Sequence, residues 1–306
     1  MDISQWFVES RNRIKQDRTK GVRKSARPVK HKLMSLGNTF FSSGKSIYEL
    51  DWDLLIILDA CRLDLMQEAS DEYNWIKQIK SIRSVNSTTA AWMRDTFTEA
   101  RQDQMGETAY ICGNPFSEIE LNLYDFSELI EVWRFAWESP GTVPPEAITD
   151  ETIRTMREDD YDRVIAHYMQ PHCPFLSKPE LSHGKKLNMF GNQDWRDVWE
   201  KLEDGDIDRD EVWEGYRDNL FYGLDEVDQL LHNVDADKVI VTSDHGNAIG
   251  EWTVYGHPPE LPFECLRSVP WIETSATDQD TRVPNNWQEE SVDADRKEQL
   301  SALGYR

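Results

Sequence analysis

The sequence has few cysteines, few basic residues and no long hydrophobic run, and each shortage excludes a class of protein. Its four cysteines are far apart and form no Cys-x-x-Cys pair: Cys61, Cys112, Cys173 and Cys265. A disulfide framework is therefore not indicated, and the thiols are typical of a reducing compartment. No segment approaches the length of a membrane span, and the N-terminus lacks the apolar core of a signal peptide. These absences together predict a cytoplasmic protein.

Positive charge is also scarce: the 306 residues contain 34 Lys and Arg against 57 Asp and Glu, a formal net charge of -23. Because nucleic acid is itself a polyanion, this balance argues against a nucleic-acid partner. Dense carboxylates also stay hydrated in concentrated salt. We therefore predict a halophilic protein from a very salty cytoplasm, such as that of a haloarchaeon.

The basic residues that are present concentrate near the N-terminus, in the segment RNRIKQDRTKGVRKSARPVKHK. We interpret residues 1–48 as a basic N-terminal arm and residues 49–306 as one main domain, which is long enough for a large core. The arm could make peripheral contact with an anionic membrane surface, so that the cytoplasmic protein would be membrane-associated. It could instead pack on the acidic body of the same protein, and its low apolar content favours this second interpretation.

Three short apolar runs predict buried strands: LLIIL at residues 54–58, VIA at 164–166 and VIV at 239–241. Continuous apolar runs of this length are typical of parallel strands that are covered on both faces. Residues 212–231 have apolar side chains at helical spacing and are expected to pack on the sheet, and LRSVPWI at 266–272 is expected to form an edge strand. We therefore predict an α/β fold: a doubly wound, mostly parallel sheet with helices on both faces, in one main domain.

Acidic and imidazole side chains follow two of these runs. Asp59 follows the first, and Asp244 and His245 follow the third after two hydroxyl residues. Ligands collect at the carboxyl ends of strands in an open parallel sheet, and carboxylate and imidazole are common metal ligands, so we prefer a metal site here. Gly246 would let the backbone turn sharply beside the ion, and His257 follows in YGHP. The alternative is a pair of capped strand ends with satisfied histidines.

Hydroxyl side chains crowd the segment before a predicted helix start at residues 90–92, and the last of them are Ser87, Thr88 and Thr89. A hydroxyl at a helix N-terminus lies in positive potential near free amides, which suits a nucleophile that attacks an anionic ester. The alternative is an ordinary Ser/Thr N-cap, and this segment alone favours the cap.

His172 lies in the segment PHCPF, where prolines stiffen the loop, and such loops often present site residues. His167 ends the preceding apolar run and could belong to the core instead. Lys178, Lys185 and Lys186 follow, in a polar segment up to about residue 210 that we interpret as a loop and a lid. These lysines are either the nearest cations for a bound anion or simply solvated.

Five segments occur in an order that resembles the alkaline phosphatase superfamily: LDACR, SVNSTTAAW, HYMQPHCPF, VIVTSDHG and YGHP. The sequence is most similar to the sulfatase-like and phosphoglycerol-transferase-like branch, and the ending EQLSALGYR also resembles a common sulfatase C-terminus. The resemblance covers roughly residues 50–306. It implies an alkaline-phosphatase-like fold and three ligands of a divalent metal ion, Asp59, Asp244 and His245. By ligand type the ion would be Mn²⁺ or Zn²⁺, with Ca²⁺ or Mg²⁺ as alternatives.

The resemblance also implies catalytic residues. Thr89 would be the nucleophile, with Thr88 as the alternative, because Ser87-Thr88-Thr89 is similar to the S-x-T pattern of the superfamily. His172 would match the histidine that contacts the transferred group, and His257 would match the late histidine near the leaving group. The implied function is that of a metal-dependent hydrolase or transferase. Its substrate would be a phosphate or sulfate ester, such as that of a glycan or a lipid headgroup.

One departure from the superfamily pattern bears on the choice of substrate. Sulfatases carry Cys or Ser in a C/S-x-P-x-R motif that is converted to formylglycine, whereas residues 61–64 here read CRLD. We therefore favour a single-metal phosphotransferase or phosphodiesterase over a sulfatase proper. A third interpretation is a catalytically inactive, sulfatase-like binding protein, and the complete set of metal ligands argues against it.

Overall fold

A seven-stranded, mostly parallel sheet is the centre of the computed structural model, which describes residues 44–181 and 196–288. Its strands are β1 (Leu54–Leu58), β2 (Lys80–Arg83), β3 (Thr108–Cys112), β4 (Glu128–Glu131), β5 (Arg163–Tyr168), β6 (Ala236–Thr242) and β9 (Ser268–Ala276). Two short strands, β7 (Ala248–Ile249) and β8 (Tyr255–Gly256), pair separately as an antiparallel hairpin. The strand order in the large sheet is β2-β9-β6-β1-β5-β3-β4.

The central strand of this sheet is β1, and all of its residues are buried, as expected for a strand that is covered on both faces. Strands β6, β1, β5, β3 and β4 run parallel to one another, and β9 joins them antiparallel to β6. The register aligns Leu58 with Tyr168 of β5 and Ile57 with Thr242 of β6. The carboxyl ends of β1, β5 and β6 therefore lie side by side at the same end of the sheet.

Helices cover both faces of the sheet, which confirms the predicted fold class. Within the described residues they are α1 (Leu63–Ala69), α2 (Thr89–Thr96), α3 (Gln102–Met105), α4 (Ser117–Glu120), α5 (Trp133–Ala136), α6 (Pro145–Glu158), α7 (Val198–Asp204), α8 (Arg209–Leu231) and α9 (Glu264–Arg267). Alternate residues of β1 enter opposite core layers. Leu54, Ile56 and Leu58 pack in the layer formed with α1, α6 and α8, whereas Leu55 and Ile57 pack in the layer formed with α2. Each fully buried Leu or Ile contributes about 1.5–3 kcal/mol of hydrophobic stabilisation.

The edges of the sheet differ from the prediction. The segment LRSVPWI does not form an edge strand, because β9 lies between β2 and β6, and the edges are β2 and β4. Sequence patterns do not predict β2 or β4, since both are four residues long and carry charged side chains, in KSIR and ELIE. Charged side chains are common on edge strands, where they discourage pairing with other chains. Helix α7 also lies inside the segment that was predicted to be a loop.

Parts of several predictions fall outside the described residues: the arm up to residue 43, Lys185 and Lys186, and the ending EQLSALGYR. At the end of the predicted arm, Ile47 and Tyr48 are buried, and the Tyr48 hydroxyl donates to Oγ1 of Thr108 (3.2 Å). No helix in residues 44–181 or 196–288 is both long enough and apolar enough to cross a membrane.

Candidate active site

Asp59 is the first residue after β1, and hydrogen bonds to neighbouring segments fix its backbone. Its N–H donates to the carbonyl oxygen of Tyr168 (3.1 Å), and its carbonyl accepts from the N–H of His172 (3.1 Å). Ala60 then adopts a left-handed backbone conformation (φ 63°), and its N–H donates to Oδ1 of Asp244 (2.9 Å). The turn after β1 is thereby tied to the turn after β6, which brings the two aspartates together.

Asp244 and His245 follow β6 and form a buried cluster with Asp59, which we call the Asp-Asp-His group. Each residue offers one potential ligand atom, and these three atoms all lie within 4.8 Å of one another. Nε2 of His245 is 3.4 Å from Oδ2 of Asp244 and 3.7 Å from Oδ1 of Asp59, and the three side chains are at most 1% exposed. The Nδ1–H of His245 donates to the carbonyl oxygen of Gly246 (2.9 Å). Nε2 therefore faces the two aspartates and is the ring nitrogen in position to act as a metal ligand.

Gly246 is required for a different reason from the predicted one. Its backbone is not in the left-handed region, so the prediction of a glycine-dependent sharp turn is wrong. Its N–H donates to the carbonyl oxygen of Leu266 (2.8 Å), and a Cβ atom at this position would lie 2.3 Å from the carbonyl oxygen of Cys265. The close approach of α9 to the turn after β6 therefore explains the glycine.

The Asp-Asp-His group fits a bound cation. Oδ2 of Asp244 is buried and has no hydrogen-bond partner among the described residues, which is unfavourable for a carboxylate oxygen unless an ion contacts it. Burial and the neighbouring charge of Asp244 raise the pKa of Asp59 well above its ordinary value. Burial also acts to raise the pKa of Asp244, but His245 and His167 outweigh it and hold that pKa below its ordinary value. A divalent ion would neutralise this carboxylate pair, and the ligand types suit Mn²⁺ or Zn²⁺.

The two candidate threonines have different surroundings. Thr89 is the first residue of α2, and its buried Oγ1 lies 3.1 Å from Nε2 of His245 and 3.4 Å from Oδ1 of Asp59. Thr88 is the N-cap of the same helix, and its Oγ1 accepts from the N–H of Ala91 (3.3 Å). The hydroxyl of Thr89 thus contacts the Asp-Asp-His group, whereas that of Thr88 stabilises the helix end.

His172 and His257 lie beside the Asp-Asp-His group and contact each other through their Nε2 atoms (3.1 Å). The ring of His257 also packs against that of His245, with centroids 4.6 Å apart. Burial acts to lower the pKa of His172, but its contacts with Cys173, including a 2.6 Å hydrogen bond from Nδ1 to the carbonyl oxygen, raise that pKa to about 9. Burial and the two neighbouring histidines lower the pKa of His257. His172 is therefore the protonated member of the pair.

Asn114 belongs to the same site, although the sequence analysis does not select it. It lies two residues beyond β3, and its Nδ2 donates to Oδ2 of Asp59 (2.7 Å). Its Oδ1 accepts from the N–H of Phe116 (3.0 Å), so both ends of the amide are held. The Gly-Asn-Pro segment is typical of a turn, but a polar side chain just past the end of a parallel strand is also a signal of a site residue.

Two other candidates from the sequence do not join the Asp-Asp-His group. His167 is fully buried in β5, where its Nδ1 is 2.7 Å from the hydroxyl oxygen of Tyr110, and burial lowers its pKa to about 4. It is therefore a neutral core histidine. Lys178 forms a salt bridge with Glu214 (2.9 Å), so its ammonium group is engaged by a carboxylate rather than by the site.

Solved structures resemble this chain, whereas no protein-family model and no curated protein matches its sequence. The soluble domain of lipooligosaccharide phosphoethanolamine transferase A from Neisseria meningitidis has a TM-score of 0.52 at 13% identity, over 83% of this chain and 85% of that one. The C-terminal periplasmic domain of a phosphoethanolamine transferase from Campylobacter jejuni has a TM-score of 0.48 at 14% identity, over 72% and 78%. A 2-O GAG sulfatase has a TM-score of 0.47 at 11% identity, over 82% and 70%. The first of these structures shows that the chain shares the α/β fold of that transferase domain, and at 13% identity the likeness concerns the fold alone.

Proposed function

We propose that the protein is a metal-dependent hydrolase or phosphotransferase that acts on phosphate esters through Thr89. The observation that supports this best is the position of Thr89 Oγ1, 3.1 Å from Nε2 of His245 and 3.4 Å from Oδ1 of Asp59. A hydroxyl in the first turn of a helix lies in positive potential, which favours its alkoxide form. As substrate class we propose the phosphate ester of a glycan or a lipid headgroup.

Asp59, Asp244 and His245 would hold the metal ion. When bound, the ion supplies positive charge that stabilises the phosphoryl oxygens and lowers the pKa of a neighbouring hydroxyl. Asn114 keeps the Asp59 carboxylate oriented through its 2.7 Å hydrogen bond. The bond from Nδ1 of His245 to the carbonyl oxygen of Gly246 orients the ring so that Nε2 faces the two aspartates.

The chemistry of the chain's own residues would proceed in two steps. Oγ1 of Thr89 attacks the phosphorus in line with the leaving oxygen, and the bond to that oxygen breaks as the new bond forms. The hydroxyl proton passes to Oδ1 of Asp59, which already lies within hydrogen-bonding distance. The protonated His172 donates its own proton to the leaving oxygen, directly or through His257, and becomes neutral. In the second step water or an acceptor alcohol attacks the phosphorus and gives its proton to His172, the bond between Oγ1 and phosphorus breaks, and Oγ1 regains its proton from Asp59.

Replacing Thr89 tests this proposal. We expect Thr89→Ala to abolish turnover while circular dichroism and bound metal content stay unchanged, because the metal ligands and the helix remain. Thr88→Ala is the matched control. It should be less stable by about 1 kcal/mol, because the helix loses its N-cap hydrogen bond, but it should retain turnover. Undiminished turnover by Thr89→Ala would rule out this threonine as the nucleophile.

The substrate class is tested with a panel of phosphate monoesters, phosphate diesters and aryl sulfates, assayed with and without Mn²⁺ or Zn²⁺. We expect metal-dependent turnover of a phosphate ester. Preferential turnover of an aryl sulfate would identify a sulfatase proper. A purified protein without bound metal, inactive on the whole panel and not activated by either ion, would instead support a binding protein.

A further inference from the structure

The loop that presents His172 is held from behind by one buried side chain of α8. Asn219 is fully buried, and its Nδ2 lies within hydrogen-bonding distance of three loop carbonyl oxygens, those of Pro171 (3.2 Å), His172 (2.9 Å) and Pro174 (3.3 Å). Its Oδ1 accepts from the N–H of Leu176 (3.0 Å). Since a side-chain amide has two N–H donors, these contacts use its full donor capacity.

The loop depends on this amide because its own backbone supplies few N–H donors. Pro171 and Pro174 have no N–H, and the N–H of His172 donates to the carbonyl oxygen of Asp59 (3.1 Å). Buried carbonyl groups without a donor are strongly disfavoured, so loss of the Asn219 amide would favour movement of the loop toward water. The position of the loop relative to β1 is thus set through Asp59, and its position relative to α8 through Asn219.

The position of this loop decides where the His172 imidazole lies. Nε2 of His172 is 3.1 Å from Nε2 of His257, and a shift of about 1 Å would break this hydrogen bond. We propose that Asn219 is a positioning residue, which holds His172 in its catalytic geometry without touching the substrate or the metal ion. The inference rests on the role proposed above for His172.

A purely structural role is the alternative, and Asn233 provides the matched control for it. This asparagine follows α8, is also fully buried, and also serves backbone groups. Its Oδ1 accepts from the N–H groups of Thr281 (2.9 Å) and Arg282 (2.7 Å), and its Nδ2 donates to the carbonyl oxygen of Gln229 (2.9 Å). It lies just before the first residue of β6, at the end of that strand opposite the candidate active site. Its loss should lower stability without moving His172.

The kinetic test measures kcat and KM of the full-length, metal-supplied protein on the best phosphate ester of the panel. We expect Asn219→Ala to lower kcat about 10- to 100-fold with KM changed by less than about threefold, because a displaced proton donor slows the chemical step. In a His172→Ala background the same substitution should have no further effect, since Asn219 acts through His172. Asn233→Ala should leave kcat unchanged in both backgrounds. If Asn219→Ala does not fold, Asn219→Ser replaces it, since serine retains one hydroxyl donor.

A crystal structure of the Asn219 variant separates failure of this inference from failure of the proposed function. We expect residues 171–174 to be displaced and the contact between His172 and His257 to be lost, while Thr89 Oγ1 stays about 3.1 Å from Nε2 of His245. An unmoved loop, or an equal loss of kcat with and without His172, would overturn the positioning role. Absence of turnover by the wild-type protein would refute the proposed function, and the loop comparison would still decide the role of Asn219.

Discussion

Asn114 has no acidic, basic or nucleophilic group, yet it fixes the orientation of a candidate metal ligand. Its Nδ2 donates to Oδ2 of Asp59 at 2.7 Å, and both side chains are buried. We expect Asn114→Ala to lower the affinity for Mn²⁺ or Zn²⁺ about 10- to 100-fold, because partners that orient a metal ligand typically contribute this much. Isothermal titration with the metal ion measures the change.

Asn122→Ala is a suitable control for this prediction. Asn122 is exposed, and its Oδ1 accepts from the N–H of Tyr124 (3.2 Å), so it caps a surface turn outside the candidate active site. Its replacement should leave metal affinity unchanged. Equal metal affinities of the Asn114 and Asn122 variants would mean that Asn114 does not support the metal ligand.

The sequence indicates some site residues and not others for a physical reason. Asp59, Asp244 and His245 can be found because each follows an apolar run, and the carboxyl ends of parallel strands meet at one edge of the sheet. Asn114 cannot be selected in this way, because its role is a contact with a residue 55 positions away in sequence. The choice between Thr88 and Thr89 depends on where α2 begins, and successive helical residues point about 100° apart.

At the scale of elements, the approach of α9 to the turn after β6 holds the candidate metal ligands in place. A Cβ atom at Gly246 would lie 2.3 Å from the carbonyl oxygen of Cys265. We therefore expect Gly246→Ala to lower the free energy of unfolding by about 1–3 kcal/mol or more, since the backbone must move apart. Urea unfolding followed by circular dichroism measures the loss.

Gly106→Ala provides the comparison for that substitution. A Cβ atom at Gly106 would have its nearest neighbour at 3.4 Å, and its φ of -63° suits any residue. The free energy of unfolding of this variant should lie within about 0.5 kcal/mol of that of the wild-type protein. A Gly246 variant of the same stability would contradict the account of this turn.

The sequence also predicts the inner elements better than the outer ones. β1, β5 and β6 are buried on both faces and therefore read as continuous apolar runs, and α8 has an apolar stripe that faces the sheet. β2 and β4 are mostly not buried, carry charges and extend for four residues, so no local pattern distinguishes them from loops. The position of β9 inside the sheet depends on its pairing with β2, which its own residues do not reveal.

At the scale of the whole molecule, the net charge of -23 makes salt an important variable. Carboxylates repel one another in dilute buffer, and salt screens this repulsion over distances of about 3 Å at 1 M. We expect the midpoint of thermal unfolding to rise as KCl increases from dilute buffer to molar concentrations. Differential scanning calorimetry across that range tests this, and a protein that is most stable in dilute buffer would contradict the halophilic prediction.

The central claim for the whole molecule is that distant segments converge to activate one threonine oxygen. Its most direct test is acid quenching of the metal-supplied protein during turnover, followed by peptide mass spectrometry. The account predicts that the peptide containing Thr89 gains the mass of the transferred phosphoryl group, and that Thr89→Ala shows no adduct. Steady turnover with no adduct at any time point, or an adduct on a different residue, would contradict it.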